Sequence, residues 1–441
     1  MNLLSRSLQR LLTLLLFSMV AATAYAVTPK VVGGAGDHAL MLKADGTVWA
    51  WGSGTDGQIG NYMGISETRA VQVPQLAGTR DVAVGNGHSL AVKGNGTVVT
   101  WGRNDVGQLG NGSTATRYQP QAVTGISGVK AVAAGYSHSV ALKTDGTVWA
   151  WGSNAYGQLG DNTTTERHTP VQVSGLTNVV AISAFYNHNL ALKDDGTVWA
   201  WGRNNTGQLG DNTILSRTIP VQVSGLTQVA AIAAGGGHSL AITTSNNVYA
   251  WGDNSYGQLG DGGTTQHNVP TLVPGLANVI GVAAGRNFSV VGKSNQTALA
   301  WGENGYGQLG DGSTTQHGSP ATVDGLSNVG SVAAGTYAGY ALKTDGTVQA
   351  WGRNNAGQLG DGTTVNRNSA ITVSNLVGVT AVAAGDSHSL AVKTDGTVSA
   401  WGSNNNGQLG DGSVTAHHSP ATVSGLNGVV AVAGGLPTAW P

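Results

Sequence analysis

Short apolar runs alternate with polar turns along this chain, and the whole pattern returns every 50 residues. In the copy beginning at Val129, residues 129–134, 139–143, 147–151 and 170–173 each carry the alternation or the apolar density of a short strand. Asp145-Gly146 separates the second run from the third, and an Asp-Gly pair between two such runs predicts a hairpin with a type I′ turn. A loop of about 17 residues, rich in Gly, Asn and Thr, is expected between the third and fourth runs. The four runs are labelled strands a to d. No stretch after residue 26 carries a clear helical period.

A Trp-Gly pair closes strand c at Trp51, Trp101, Trp151, Trp201, Trp251, Trp301, Trp351 and Trp401, with no insertion or deletion between copies. Four antiparallel strands per repeat without helices predict an all-β fold, a β-propeller of four-stranded blades. Eight complete repeats leave a seven- or an eight-bladed ring open. A ninth unit starts at residues 430–435 and then loses the pattern.

Composition narrows the class. Gly supplies 69 of 441 residues, about twice the usual ~7%, and charged residues only 10%. A net charge of −1, with no basic tail, gives no electrostatic footprint for nucleic acid or an anionic membrane. Residues 1–26 read as a secretory signal peptide: Arg6 and Arg10, an apolar run 11–22, then Ala24-Tyr25-Ala26. Its removal leaves 19 basic and 22 acidic residues, a formal charge of −3, and no later span is apolar enough to cross a membrane. The propeller is then expected over 27–441 of a secreted, periplasmic or envelope protein. Cys is absent, so packing and β pairing must supply the stability.

The run Trp-Gly-x-Asn-x-x-Gly-Gln-Leu-Gly, with Gly-x-x-His-Ser upstream, resembles the regulator of chromosome condensation repeat family over roughly residues 27–435. The resemblance implies a propeller, usually of seven blades, closed by mixing strands from the two chain ends. Members range from a nuclear guanine-nucleotide exchange factor that binds chromatin to an exported inhibitor of β-lactamase that uses one propeller face. The export signal and the lack of a basic tail set this chain apart from the nuclear member. What carries over is a scaffold for recognition, without a named partner.

His38, His88, His138, His188, His238 and His388 recur at one phase; each is read as a core residue that bonds nearby backbone and fixes the a–b turn, not as a metal ligand. The Gly-Gln-Leu-Gly-Asp loop lacks the acidic pattern of a calcium loop, so Gln is expected to bond backbone amides and Leu to plug the gap between blades. The Trp of Trp-Gly is expected between blades. The residue two before it (Trp49, Val99, Trp149, Trp199, Tyr249, Leu299, Gln349, Ser399) is expected to be partly exposed.

Recognition is sought where the copies disagree. Before the His phase stand Tyr136, Tyr186, Arg286, Tyr337 and Asp386; after Trp-Gly stand Arg103, Tyr156, Arg203, Tyr256, Tyr306 and Arg353. Tyr and Arg are enriched in binding hot spots. No catalytic set, metal set, cofactor site or nucleotide motif stands out. The expectation is a monomeric, non-catalytic scaffold that binds a protein partner and no nucleic acid. The alternatives are a propeller hydrolase or lyase acting on surface polysaccharide, or a structural fragment of a larger surface protein.

Overall fold

Eight four-stranded antiparallel sheets make up the computed structural model, which describes residues 30–33 and 38–429. Each sheet uses four consecutive strands, so the blades span residues 30–72, 79–122, 129–172, 179–222, 229–272, 279–322, 329–372 and 379–422. Strands a touch one another in succession around the ring, and strand a of blade eight touches strand a of blade one. The ring is therefore an eight-bladed β-propeller, one blade more than the resemblance implied. Among the described residues there is no helix, and so none long and apolar enough to cross a membrane. The signal segment 1–26 and the ninth-unit residues 430–435 lie outside the described residues. Blade one takes all four of its described strands from residues 30–72, without an exchanged strand. Its strand a, Lys30–Gly33, pairs in one continuous register, whereas strand a of every other blade carries a bulge.

Strand bounds shift slightly from the sequence reading. In blade three strand a is Val129–Ala134 as expected, but b is His138–Lys143, c is Val148–Gly152 and d is Arg167–Gln172. Gly152 pairs with Arg167 past a bulge, so strand d begins earlier and the c–d loop is shorter than expected. Gly152 has φ of 103°, and a Cβ there would lie 2.7 Å from the Ser137 carbonyl oxygen. That close approach explains why each Trp is followed by Gly.

The b–c turn is not type I′. Gly146 N–H donates to Lys143 O at 3.1 Å, Lys143 N–H donates to Thr147 O at 2.9 Å, and only Gly146 is left-handed, at φ 78°. This is the three-residue hairpin loop, in which a normal turn precedes one left-handed residue. Asp145 holds it by accepting from the Thr147 amide at 3.0 Å and the Thr147 hydroxyl at 2.6 Å.

The core is divided among the blade junctions. At the junction of blades three and four, Val140, Leu142, Val148, Leu159 and Val173 pack against Ile182, Ala191 and Trp201. Leu390, Val398, Leu409 and Val423 of blade eight pack in the same way against Met41 and Trp51 of blade one. Trp and Leu of the repeat thus fill the gaps between blades, as expected. The phase two residues before Trp is half-buried in six blades and buried at Val99 and Ser399.

Candidate functional site

One buried acceptor organises every junction. The backbone carbonyl of the repeat Gln accepts the indole N–H of the next blade's Trp in all eight junctions, at 2.8–3.0 Å. Trp51 donates to Gln408 O at 3.0 Å, which closes the ring. The Gln side chain also behaves as expected: Gln158 Oε1 accepts the Tyr156 amide at 2.9 Å.

The histidines correct the sequence reading. Five of the six do not fix their own a–b turn through backbone bonds but reach across to the next blade; for His388 the corresponding position in blade one is Ala39. His38 meets Ser89 at 3.2 Å, His88 meets Ser139 at 3.1 Å, His138 meets Asn189 at 2.8 Å, His188 meets Ser239 at 3.3 Å and His238 meets Ser289 at 3.2 Å. Asn189 Oδ1 only accepts, so Nε2 of His138 carries the proton. Its Nδ1, like that of His38, His88 and His238, has no hydrogen-bond partner among the described residues. Complete burial pushes these imidazoles down, His38, His138 and His238 to about 4 and His88 and His188 to about 3. They are neutral structural links.

Where the His phase is lost, its partner changes too. Phe288 would face a Ser at position 339, and position 339 is Gly. Ala338 leaves Ser389 without an imidazole, but the Tyr340 hydroxyl accepts from Ser389 at 2.7 Å and donates to Gln358 O at 3.0 Å.

Solvent-facing chemistry lies elsewhere. Because the strands alternate in direction, the a–b turns and c–d loops share one face, and the b–c hairpins and d–a linkers share the other. Arg103 N–H donates to Gly87 O at 2.8 Å, tying the c–d loop to the a–b turn of its own blade. Neighbouring a–b turns are linked as well: Asn86 N–H donates to Tyr136 O at 3.2 Å and Tyr136 N–H to Tyr186 O at 2.9 Å. All the residues singled out for recognition therefore fall on one face.

On that face they gather in clusters. Tyr136 and Tyr186 stack with ring centroids 6.0 Å apart. Arg286 Nη1 donates to the Tyr337 hydroxyl at 2.7 Å, and Tyr337 meets Tyr306 edge-on at 5.3 Å. The Arg353 guanidinium lies 5.4 Å from the Tyr306 ring and 5.5 Å from the Tyr337 ring. Arg203 covers Tyr156 at 5.3 Å. Tyr186 and Glu303 lie within electrostatic reach of Arg286. Arg103 instead pairs with Asp105 of its own loop at 2.6 Å. Tyr256 and Asp386 share the exposed face but join none of these clusters among the described residues.

Two features escaped the sequence reading. Phe185 stands where Gly85, Gly135 and Gly235 stand in other blades; it extends strand a to Phe185 and meets Tyr186 edge-on at 4.7 Å. Tyr186 is consequently left-handed, at φ 43°, a strained geometry for a bulky residue. In blade one, Tyr62, Met63 and Ile65 expose apolar surface on the c–d loop, as Ile214 and Leu215 do in blade four. Comparison of the repeats at fixed phase carries the signal for both.

Known proteins agree with the fold and the repeat. An RCC1-like domain model matches residues 21–224 and 125–377, and Regulator of chromosome condensation (RCC1) repeat models match 379–408 and 395–436. The chain belongs to the RCC1-like propeller family. Human WBSCR16 is 23% identical with a TM-score of 0.64, covering 79% of this chain and 100% of that one. Prp20p from Saccharomyces cerevisiae, described for its binding to Gsp1p and histones, is 22% identical with a TM-score of 0.62, covering 83% and 92%. At that identity both show the fold alone. The human E3 ubiquitin-protein ligase HERC2 is 33% identical over 70 residues, 15% of this chain, and the match spans 1% of the ligase.

Proposed function

We propose that this chain is an exported, non-catalytic, monomeric scaffold that binds a protein partner through the face bearing the a–b turns and c–d loops. The observation that carries the reading is the convergence of Tyr136, Tyr186, Arg286, Tyr306, Tyr337 and Arg353 from four blades onto one face in ring and guanidinium contacts. These side chains answer to no repeated fold requirement, and their types are those of binding hot spots. The protein-binding described for Prp20p on the same fold supports a scaffold role. Export is supported by Arg6, Arg10, the apolar run and Ala24-Tyr25-Ala26; amino-terminal sequencing of the exported form should read from Val27.

The test of the face is affinity capture from envelope and culture fluid with the mature chain, beside a variant with Tyr136, Tyr186, Arg286 and Tyr337 changed to Ala. Partners held by the wild type and lost by the variant support this face. Equal capture by both places the site elsewhere.

A further inference from the structure

Three cations on the recognition face have no carboxylate at ion-pair distance among the described residues, unlike four other arginines of the c–d loops and the start of strand d. Arg167, Arg217 and Arg367 pair with Asp161, Asp211 and Asp361 in the c–d loops, and Arg103 pairs with Asp105. Arg203, Arg286 and Arg353 make no ion pair among the described residues. Each instead lies against a tyrosine, at 5.3 Å from Tyr156, 5.9 Å from Tyr337 and 5.4 Å from Tyr306. Such contacts hold a guanidinium in place while leaving donors of its planar fork free. The nearby carboxylate, Glu303, accepts from Asn287 at 3.1 Å.

We propose that this face binds an acidic polypeptide segment of the partner, whose carboxylates are taken by Arg286 and Arg353, with Arg203 extending the site. The inference rests on the reading of this face as a protein-binding site and adds the partner's chemistry. A fixed guanidinium fork matches a carboxylate in two-point fashion. A sugar or a nucleobase needs an open aromatic face to stack on. Here Tyr156, Tyr306 and Tyr337 are covered by guanidiniums, and Tyr136 and Tyr186 stack on each other. Of the tyrosines singled out on this face only Tyr256 makes no ring or guanidinium contact among the described residues, so the chemistry offered repeatedly is the cationic fork, which suits an extended chain of carboxylates.

The test is fluorescence anisotropy of the mature chain with a labelled oligo-glutamate peptide. An oligo-lysine peptide of equal length, a single-stranded DNA oligonucleotide and an oligogalacturonate serve as comparisons. Oligo-glutamate should bind in preference to all three. The double variant Arg286→Gln/Arg353→Gln should weaken it at least about tenfold, since two charge-assisted contacts are lost. Lys93→Gln removes a positive charge from the opposite face and should leave binding unchanged. Arg286→Lys/Arg353→Lys keeps the charge without the fork and should fall between. All variants change solvent-facing side chains, and circular dichroism checks that each is folded. No binding of oligo-glutamate, equal binding by the glutamine variant, or tighter binding of DNA or oligogalacturonate overturns the proposal. If oligo-glutamate fails while the alanine variant still loses captured partners, the acidic chemistry is wrong and the face is right. If captured partners survive the alanine variant, the face itself is wrong.

Discussion

At the residue scale, the cross-blade link explains which substitutions this chain tolerates. Removing a buried Ser that joins His to a Gln carbonyl is costly, because the imidazole loses its partner while buried and the carbonyl keeps only its indole donor. Ser239→Ala strands His188 and removes one of the two donors to the Gln208 carbonyl, and should cost about 1–3 kcal/mol in denaturant unfolding. Tyr340→Phe should cost a similar amount, about 1–3 kcal/mol, by stripping the hydroxyl from Ser389 and Gln358. Ala338→His combined with Tyr340→Leu rebuilds the arrangement of the regular blades and should recover most of that loss. If the double variant is no more stable than Tyr340→Phe, Tyr340 does not stand in for the imidazole. In the sequence, Phe288, Ala338 and Gly339 look like drift in two diverged repeats. Only the offset of 51 residues between His and its partner reveals Phe288 and Gly339 as a matched loss and Ala338 as one that Tyr340 makes good.

Elements are held by their turns, and the hairpin tests this most directly. Gly146 is left-handed and a Cβ there would lie 3.0 Å from Asn178 Cα in the following linker. In blade six Gln296 occupies the same place with φ of 65°. Replacing it by Gly relieves a conformation that costs an L-residue about 1–2 kcal/mol, so Gln296→Gly should raise the unfolding midpoint. Gly146→Ala should lower it. The existence of the hairpin was legible from Asp-Gly between alternating runs. Its type was not, because both turn types share the Asp-Gly signal and the pairing of Lys143 with Thr147 decides between them.

For the whole molecule, closure and acid sensitivity are the properties that matter. The junction of blades eight and one has the same Trp-to-Gln bond and the same buried cluster as the others. Trp51→Ala should therefore destabilise as much as Trp201→Ala, by about 3–5 kcal/mol. A much milder effect at Trp51 would mean an open ring. The buried histidines set the acid limit. Their folded pKa values, about 3 to 4, lie below the unfolded value near 6.5. Between those values the unfolded chain binds more protons. Their contribution is complete above about pH 6.5 and is lost as pH falls toward their folded values. Each contributes a slope of up to about 1.4 kcal/mol per pH unit, so five together reach the usual stability of about 5–15 kcal/mol within about two pH units. Cooperative acid unfolding is expected between about pH 6 and 4, followed by circular dichroism. His88→Gln should shift its midpoint to lower pH.

The amino-acid sequence by itself determined the repeat, the strand order within a blade, the hairpin position and the Trp–Leu core. Each of these follows from alternation, turn chemistry or apolar phase within 50 residues, which is local information. Only the tertiary structure decided that eight blades share one ring, since closure depends on the angle at each junction. It also decided that His bonds the next blade, that Tyr136 meets Tyr186, and that Arg286, Tyr306, Tyr337 and Arg353 meet in a second cluster on the same face. Fixed-phase comparison marked those six as unexplained by the repeat. Their meeting depends on the curvature that brings a–b turns and c–d loops of different blades to one face, and no single repeat contains it.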